Sequence, residues 1–177
     1  MVPLITAETA VISDALNHNS IINAVRMALP GEKHVYHHLD LGDLEARLQD
    51  AAETCRRAII VTDGVFSMRG DHAPFEEIVD MADAYDAEFT ENVLTVVDDS
   101  HGVGAFGATG RGTEEVTECG QVDILIATLG KALGVNGGYA VASGTLVEYL
   151  REFSPTYVYS NPISPGEAAA AIRHWRF

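Results

Sequence analysis

Three short apolar runs, each ending in a polar cluster, constrain this chain most. Ala58-Ile59-Ile60-Val61-Thr62 runs into Asp63-Gly64, Val93-Leu94-Thr95-Val96-Val97 into Asp98-Asp99-Ser100-His101, and Val122-Asp123-Ile124-Leu125-Ile126-Ala127 into Thr128. Apolar runs of this length are the habit of strands buried on both faces, as in parallel sheets covered by helices. Two further strands fit the same frame: Ala10 to Ser13, ending at Asp14, and Lys33 to Tyr36 as an edge. Between the strands the period changes to helical. Ser20 to Leu29 carries Ile21, Ile22, Val25 and Leu29 on one face, and Asp40 to Cys55 carries Leu41, Leu44, Leu48 and Ala51 or Ala52. Asp40 is placed to N-cap that second helix, with Asp43 in its first turn. Pro74 is expected at the first helical position of a third, running to about Tyr85 with Phe75, Ile78, Val79 and Ala82 inward. Gly138 to Ala142 follows its neighbour too closely for a parallel crossover of about a dozen residues, so it should run antiparallel. Gly144 to Glu152 reads as a helix, and Ser164-Pro165-Gly166-Glu167 as a capping box opening a last one. The expected fold is therefore α/β: a mostly parallel sheet with helices on both faces and one antiparallel strand.

Composition narrows the function. At 177 residues and 47% hydrophobic, the chain can bury the core of one domain or a large piece of one. Its longest apolar run falls well short of the ~20 residues that span a bilayer. Met1 to Thr6 lacks the basic flank of a secretory signal. Cys55 and Cys119 stand apart with no CxxC neighbour, so neither a disulfide nor a zinc site is expected and a reducing cytoplasm fits. Eleven Lys+Arg against 26 Asp+Glu give a charge of −15, which repels nucleic acid and anionic membranes. An ordinary acidic enzyme and a protein adapted to high salt both fit that charge.

Ligands of open α/β sheets sit beyond the carboxyl ends of the strands. Four polar clusters converge there: Asp14 to His18, Asp63 to Ser67, Asp98 to His101, and Thr128 to Lys131. Lys131 is one of only two lysines and is set among Gly, Ala and Leu in Thr128-Leu129-Gly130-Lys131-Ala132-Leu133-Gly134. That setting predicts a desolvated amine, hence a nucleophile suited to a Schiff base. With an acid, Asp98, and an imidazole, His101, at the preceding strand end, it suggests a pyridoxal phosphate site, in which an acid pairs with the pyridinium nitrogen. Plainer readings compete: Asp98 or Asp99 capping a turn, and His18 as a surface residue at a helix start. The five glycines from Gly102 to Gly112 could offer N–H groups to an anion or only supply turns.

Five motifs in order resemble the α-oxoamine synthases, pyridoxal phosphate enzymes that join an amino acid to an acyl-CoA with loss of CoA or carbon dioxide. They are Ser13 to Ser20, Thr62 to Met68, Val97 to Gly104, Thr128 to Gly134 and Tyr159-Ser160-Asn161-Pro162. The resemblance implies a large domain of the pyridoxal phosphate transferase fold, present in part over residues 1–177, without the family's N-terminal segment and C-terminal small domain. It implies pyridoxal 5'-phosphate as cofactor, glycine and an acyl-CoA (acetyl-CoA) as substrates, and a cytoplasmic homodimer with a shared site. Lys131 would carry the cofactor and then take the glycine α-proton; Asp98 would pair with the pyridinium nitrogen; His101 would tune the ring's 3-hydroxyl region. His18 would stack on the ring, Ser67 would bond near the 3-hydroxyl, Thr128 would bind phosphate, and Ser160 would reach a phosphate in the partner subunit. Alternatives are another acyl-CoA:amino acid acyltransferase and a non-catalytic dimerising fragment. Arg69 stands where relatives often carry an acid. The isolated chain is expected to bind the cofactor weakly or not at all.

Overall fold

The computed structural model describes residues 1–119 and 122–174. Six strands form one sheet: β1 (Thr9–Asp14), β2 (Glu32–Tyr36), β3 (Arg57–Asp63), β4 (Asn92–Asp98), β5 (Ile124–Thr128) and β6 (Gly138–Ala142). Their order is β2-β1-β3-β4-β5-β6, parallel throughout except for β5 with β6, which are antiparallel as the short connection requires. The helices are α1 (Asn19–Ala28), α2 (Leu41–Ala52), α3 (Phe75–Tyr85), α4 (Thr113–Val116), α5 (Gly144–Phe153), α6 (Pro155–Val158) and α7 (Pro165–His174).

Strand alternation builds two cores. Ala10, Ile12, Ala58, Ile60, Leu125 and Ala127 meet Leu44, Leu48 and Ala51 of α2 and Phe75, Ile78 and Ala82 of α3. The intervening residues Val11, Ile59, Val61, Val96 and Ile124 face the other way, toward Ile21 and Val25 of α1. Leu146 and Leu150 of α5 cover that second face only in part. The central strands are thus buried on both sides, which is why their sequences read as unbroken apolar runs.

Local signals hold at most helix ends. Asp40 caps α2, accepting from Asp43 N–H at 3.0 Å. Ser164 and Glu167 form the reciprocal box at α7: the Glu167 N–H donates to Ser164 Oγ at 3.2 Å and the Ser164 N–H to Glu167 Oε2 at 2.9 Å. Pro74 departs from expectation by one position. It is the N-cap of α3, its carbonyl accepting from Ile78 N–H at 3.1 Å, and Phe75 is the first helical residue. A fixed proline φ serves either position, and here ψ 85° keeps Pro74 outside the helix. Among the described residues no helix is long and apolar enough to cross a membrane, and Cys55 and Cys119 are buried free thiols.

Candidate functional site

Parallel register sets two acids side by side at the carboxyl edge, Asp63 ending β3 opposite Asp98 ending β4. Asp98 is half-buried; its Oδ1 accepts from Ser100 N–H at 3.1 Å. With Val61, Val96 and Ile126 it lines a cavity of about 210 Å³ on the α1 side of the sheet. Asp63 is only 7% exposed and is held by the chain from β1: its Oδ2 accepts from His18 N–H at 2.6 Å. Its own N–H donates to Asn17 Oδ1 at 2.8 Å, and Asn17 Nδ2 donates to Ser13 Oγ at 2.9 Å and to the Val61 carbonyl at 2.8 Å. Burial, opposed by the His18 bond and reinforced by the Asp98 charge, pushes the Asp63 carboxyl up to about 6. Sequence reasoning set Asp63 and Asn17 within the converging clusters but gave neither a role. The available signal was positional, since Asp63 ends its apolar strand just as Asp98 does.

The charged side chains of the four clusters come within electrostatic reach of one another. Lys131, Asp98 and His18 all act electrostatically on His101, and the same three act on Asp63. His101 is half-buried, and desolvation first, then the Lys131 charge, lowers its pKa; Asp98 opposes the shift. His18 is exposed and serves as the N-cap of α1, Nδ1 accepting from Ser20 N–H at 3.2 Å. Its plainer reading is therefore realised, while its place beside the acids also leaves its ring at the site.

Lys131 itself corrects an expectation: it is exposed, not desolvated. The turn after β5 closes on its own backbone, Leu129 N–H to the Gly137 carbonyl at 2.9 Å, and buries Leu129 (8% exposed). Leu129 packs inward and leaves the lysine, with Ala132 beside it, on the open side. Thr128 joins the two strand ends, its N–H donating to Ser100 Oγ at 2.9 Å, with its side chain exposed. Ser67 is exposed in the turn after β3. Ser160 stands apart: it follows α6 rather than a strand end, and is exposed.

Asp99 and the glycine-rich loop resolve toward structure. Asp99 is fully buried, accepting from Thr113 N–H at 2.8 Å and Thr113 Oγ1 at 2.6 Å, and burial raises its pKa. A Cβ on Gly64, Gly102 or Gly112 would fall 2.1 Å from its carboxylate oxygens, so those glycines make room for it. Loop N–H groups are spent inside the loop, Gly104 on the Gly110 carbonyl at 2.8 Å and Phe106 on the Gly102 carbonyl at 2.7 Å. Of the two readings of these glycines, turn and packing roles prevail over an anion nest.

Residues 2–174 match the family described as aminotransferase class I and II. The chain is 47% identical over 173 residues to the 2-amino-3-ketobutyrate coenzyme A ligase of Escherichia coli K12, covering 96% of this chain and 42% of that protein. It is 44% identical over 174 residues to the 8-amino-7-oxononanoate synthase of Thermosipho melanesiensis, covering 97% of this chain and 42% of that one. Among solved structures, SPT with a PLP internal aldimine superimposes with a TM-score of 0.85 at 29% identity, over 99% of this chain and 42% of the other. The chain thus spans about two-fifths of the length of the curated relatives it matches. Fold, edge geometry and these likenesses agree: the chain belongs to the aminotransferase class I and II family, and its likeness within that family is to the α-oxoamine synthases.

Proposed function

We propose that this chain supplies the cofactor-holding part of a pyridoxal 5'-phosphate acyltransferase that condenses glycine with acetyl-CoA to 2-amino-3-oxobutanoate and CoA. The observation that carries it is that one amine, one strand-end acid and two imidazoles lie within electrostatic reach of one another at the carboxyl edge: Lys131, Asp98, His101 and His18. This donor set fits the ring end of the cofactor, which needs an amine for its aldehyde, an acid for its ring nitrogen and a flat partner. Pyridoxal phosphate, when bound, supplies an electron-accepting ring that makes the glycine α-proton acidic.

The chain's residues do the rest. Lys131 Nζ would hold the cofactor's aldehyde and would serve as the base for the glycine α-proton. Asp98, half-buried and fixed by the Ser100 N–H, keeps a proton on the ring nitrogen. His101 would donate toward the 3-hydroxyl region; desolvation and the Lys131 charge lower its pKa, with Asp98 opposing. His18 covers one face of the ring, held in place through its backbone by Asp63. Ser67 bonds near the 3-hydroxyl, Thr128 offers its hydroxyl to the phosphate, and Ser160 reaches a phosphate across a homodimer interface. Residues 1–177 correspond in this reading to part of the large domain.

Close identities to a 2-amino-3-ketobutyrate ligase and to an 8-amino-7-oxononanoate synthase keep a second acyltransferase in view, differing in the acyl chain and amino acid taken. An assay of the enzyme carrying this segment, with glycine and a panel of acyl-CoAs, tests the choice through release of the CoA thiol. Fastest release with acetyl-CoA supports the reading. Release only with longer acyl chains transfers it to the second enzyme, and no release with any thioester overturns both.

A further inference from the structure

A second polar cluster lies at the same edge, between β1, the turn from β2 to α2, and the loop after β3. The His38 ring stands between two carboxylates, Nδ1 2.9 Å from Asp14 Oδ1 and Nε2 3.2 Å from Asp71 Oδ2. The Asp14 side chain is fully buried and also accepts from Leu16 N–H at 2.8 Å and Leu39 N–H at 3.0 Å. Leu39 takes left-handed backbone, φ 58°, which a leucine adopts only where its surroundings impose it. Carboxylate oxygens only accept, and a neutral imidazole has one donor and one acceptor. Both contacts are hydrogen bonds only when both ring nitrogens carry protons. The ring also sits edge-on to Phe66, centroids 4.4 Å apart at 84°. Phe66 and Asp71 are the two ends of a tight turn: Phe66 N–H donates to the Asp71 carbonyl at 2.9 Å, and Arg69 and Gly70 N–H donate to the Phe66 carbonyl at 3.0 and 2.8 Å. Ser67 is inside that turn.

We propose that His38 is a positioning residue: as an imidazolium it clamps Asp71 to Asp14 and so fixes the turn bearing Ser67 on the carboxyl edge of the sheet. The clamp stands on these contacts alone; only what Ser67 touches rests on the reading above. The charged groups facing His38 are Asp14 from β1 and Asp71 and Arg69 from the turn, where Arg69 Nε donates to Asp71 Oδ2 at 2.9 Å. Tyr36 of β2 lies against Asp14, its phenol kept from ionising by burial and by that charge. Without the second ring proton only one of the two contacts is a hydrogen bond, and the turn bearing Ser67 loses its tie to β1.

Amide hydrogen exchange of the purified chain tests this. In His38→Ala the Phe66, Arg69 and Gly70 amides exchange roughly tenfold or more faster, while β3 and β4 amides keep their protection. Asp71→Ala removes the acceptor of the Nε2 contact and leaves the buried Asp14–His38 contact in place, so it spares the fold, and loosens the same amides. His34→Gln, which breaks the His34–Glu32 pair on β2 (2.7 Å), leaves the turn protected. Unchanged protection at 66, 69 and 70 in Asp71→Ala overturns the proposal, as does a loss spread evenly over β1 to β4. The readout is blind to pyridoxal phosphate, so its failure leaves the acyltransferase reading standing, and the thioester panel can fail without touching the clamp.

Discussion

The region built on β1, β3 and β4 and the region after β5 are made of similar residues and end up in opposite states. All six residues of β1 are buried, and six of the seven in β3. No residue of β6, α5 or α6 is buried, and Phe153, Tyr157 and Tyr159 stand 61%, 61% and 89% exposed. The acids of the site belong to the first region, and its lysine to the second. A carboxylate at a buried strand end has its position and pKa set by the chain's own packing. An amine on an uncovered turn is not held in place that way. The contrast separates the part of the site this chain assembles from the part it only presents.

The largest test of that contrast is mechanical. Ile60→Ala, at 1% exposure in the middle of β3, should cost about 2–5 kcal/mol by urea unfolding. Tyr159→Ala should stay within about 0.5 kcal/mol. Comparable losses at the two sites would erase the distinction. Next, Thr113→Val removes the hydroxyl 2.6 Å from buried Asp99 at nearly constant volume, and should cost about 1–3 kcal/mol.

A smaller effect separates Asp63 by pH. Its carboxyl titrates at about 6 in the folded chain, against 3.8 for an unperturbed aspartate. Between those values the native state holds the extra proton, so this group's contribution to stability falls as pH rises through the window and is level above it. Asp63→Asn, which keeps an acceptor for His18 N–H, should match the native chain near pH 4 and be more stable at pH 7. Equal urea midpoints for the two proteins at both pH values would show that Asp63 is not under the burial and charge pressure assigned to it.

The smallest expected effect is on the exposed side. Lys131 and Lys33 are both exposed, so an acylating reagent should modify them at rates within about threefold of each other. Much faster acylation of Lys131 would mean that the turn shields and activates its amine after all.

What could be read in advance follows the same division. The apolar runs of β3, β4 and β5 announced a covered parallel sheet because burial on both faces leaves no alternation to blur. The antiparallel β6 followed from a connection too short to cross over. Asp40 and the Ser164–Glu167 box were legible because caps are local chemistry. Lys131 misled because apolar neighbours do not imply cover: Leu129 is buried but Ala132 is exposed beside the lysine, and nothing local encodes what covers a side chain. Asp63 was given no role because its meaning lies in register: only when β3 lies beside β4 does it face Asp98 and reach the His18 backbone. His38 matched no motif, since its two carboxylates come from positions 24 and 33 residues away.

The most direct test of the central claim is to incubate the chain with pyridoxal phosphate, reduce with borohydride and map the tag. Generic acylation should not prefer Lys131, but the neighbouring Asp98, His18 and His101 should steer the aldehyde to it, so the account predicts phosphopyridoxyl on Lys131 well in excess of Lys33 and the Met1 amine. A tag shared evenly among the three amines, or concentrated on Lys33, would contradict it.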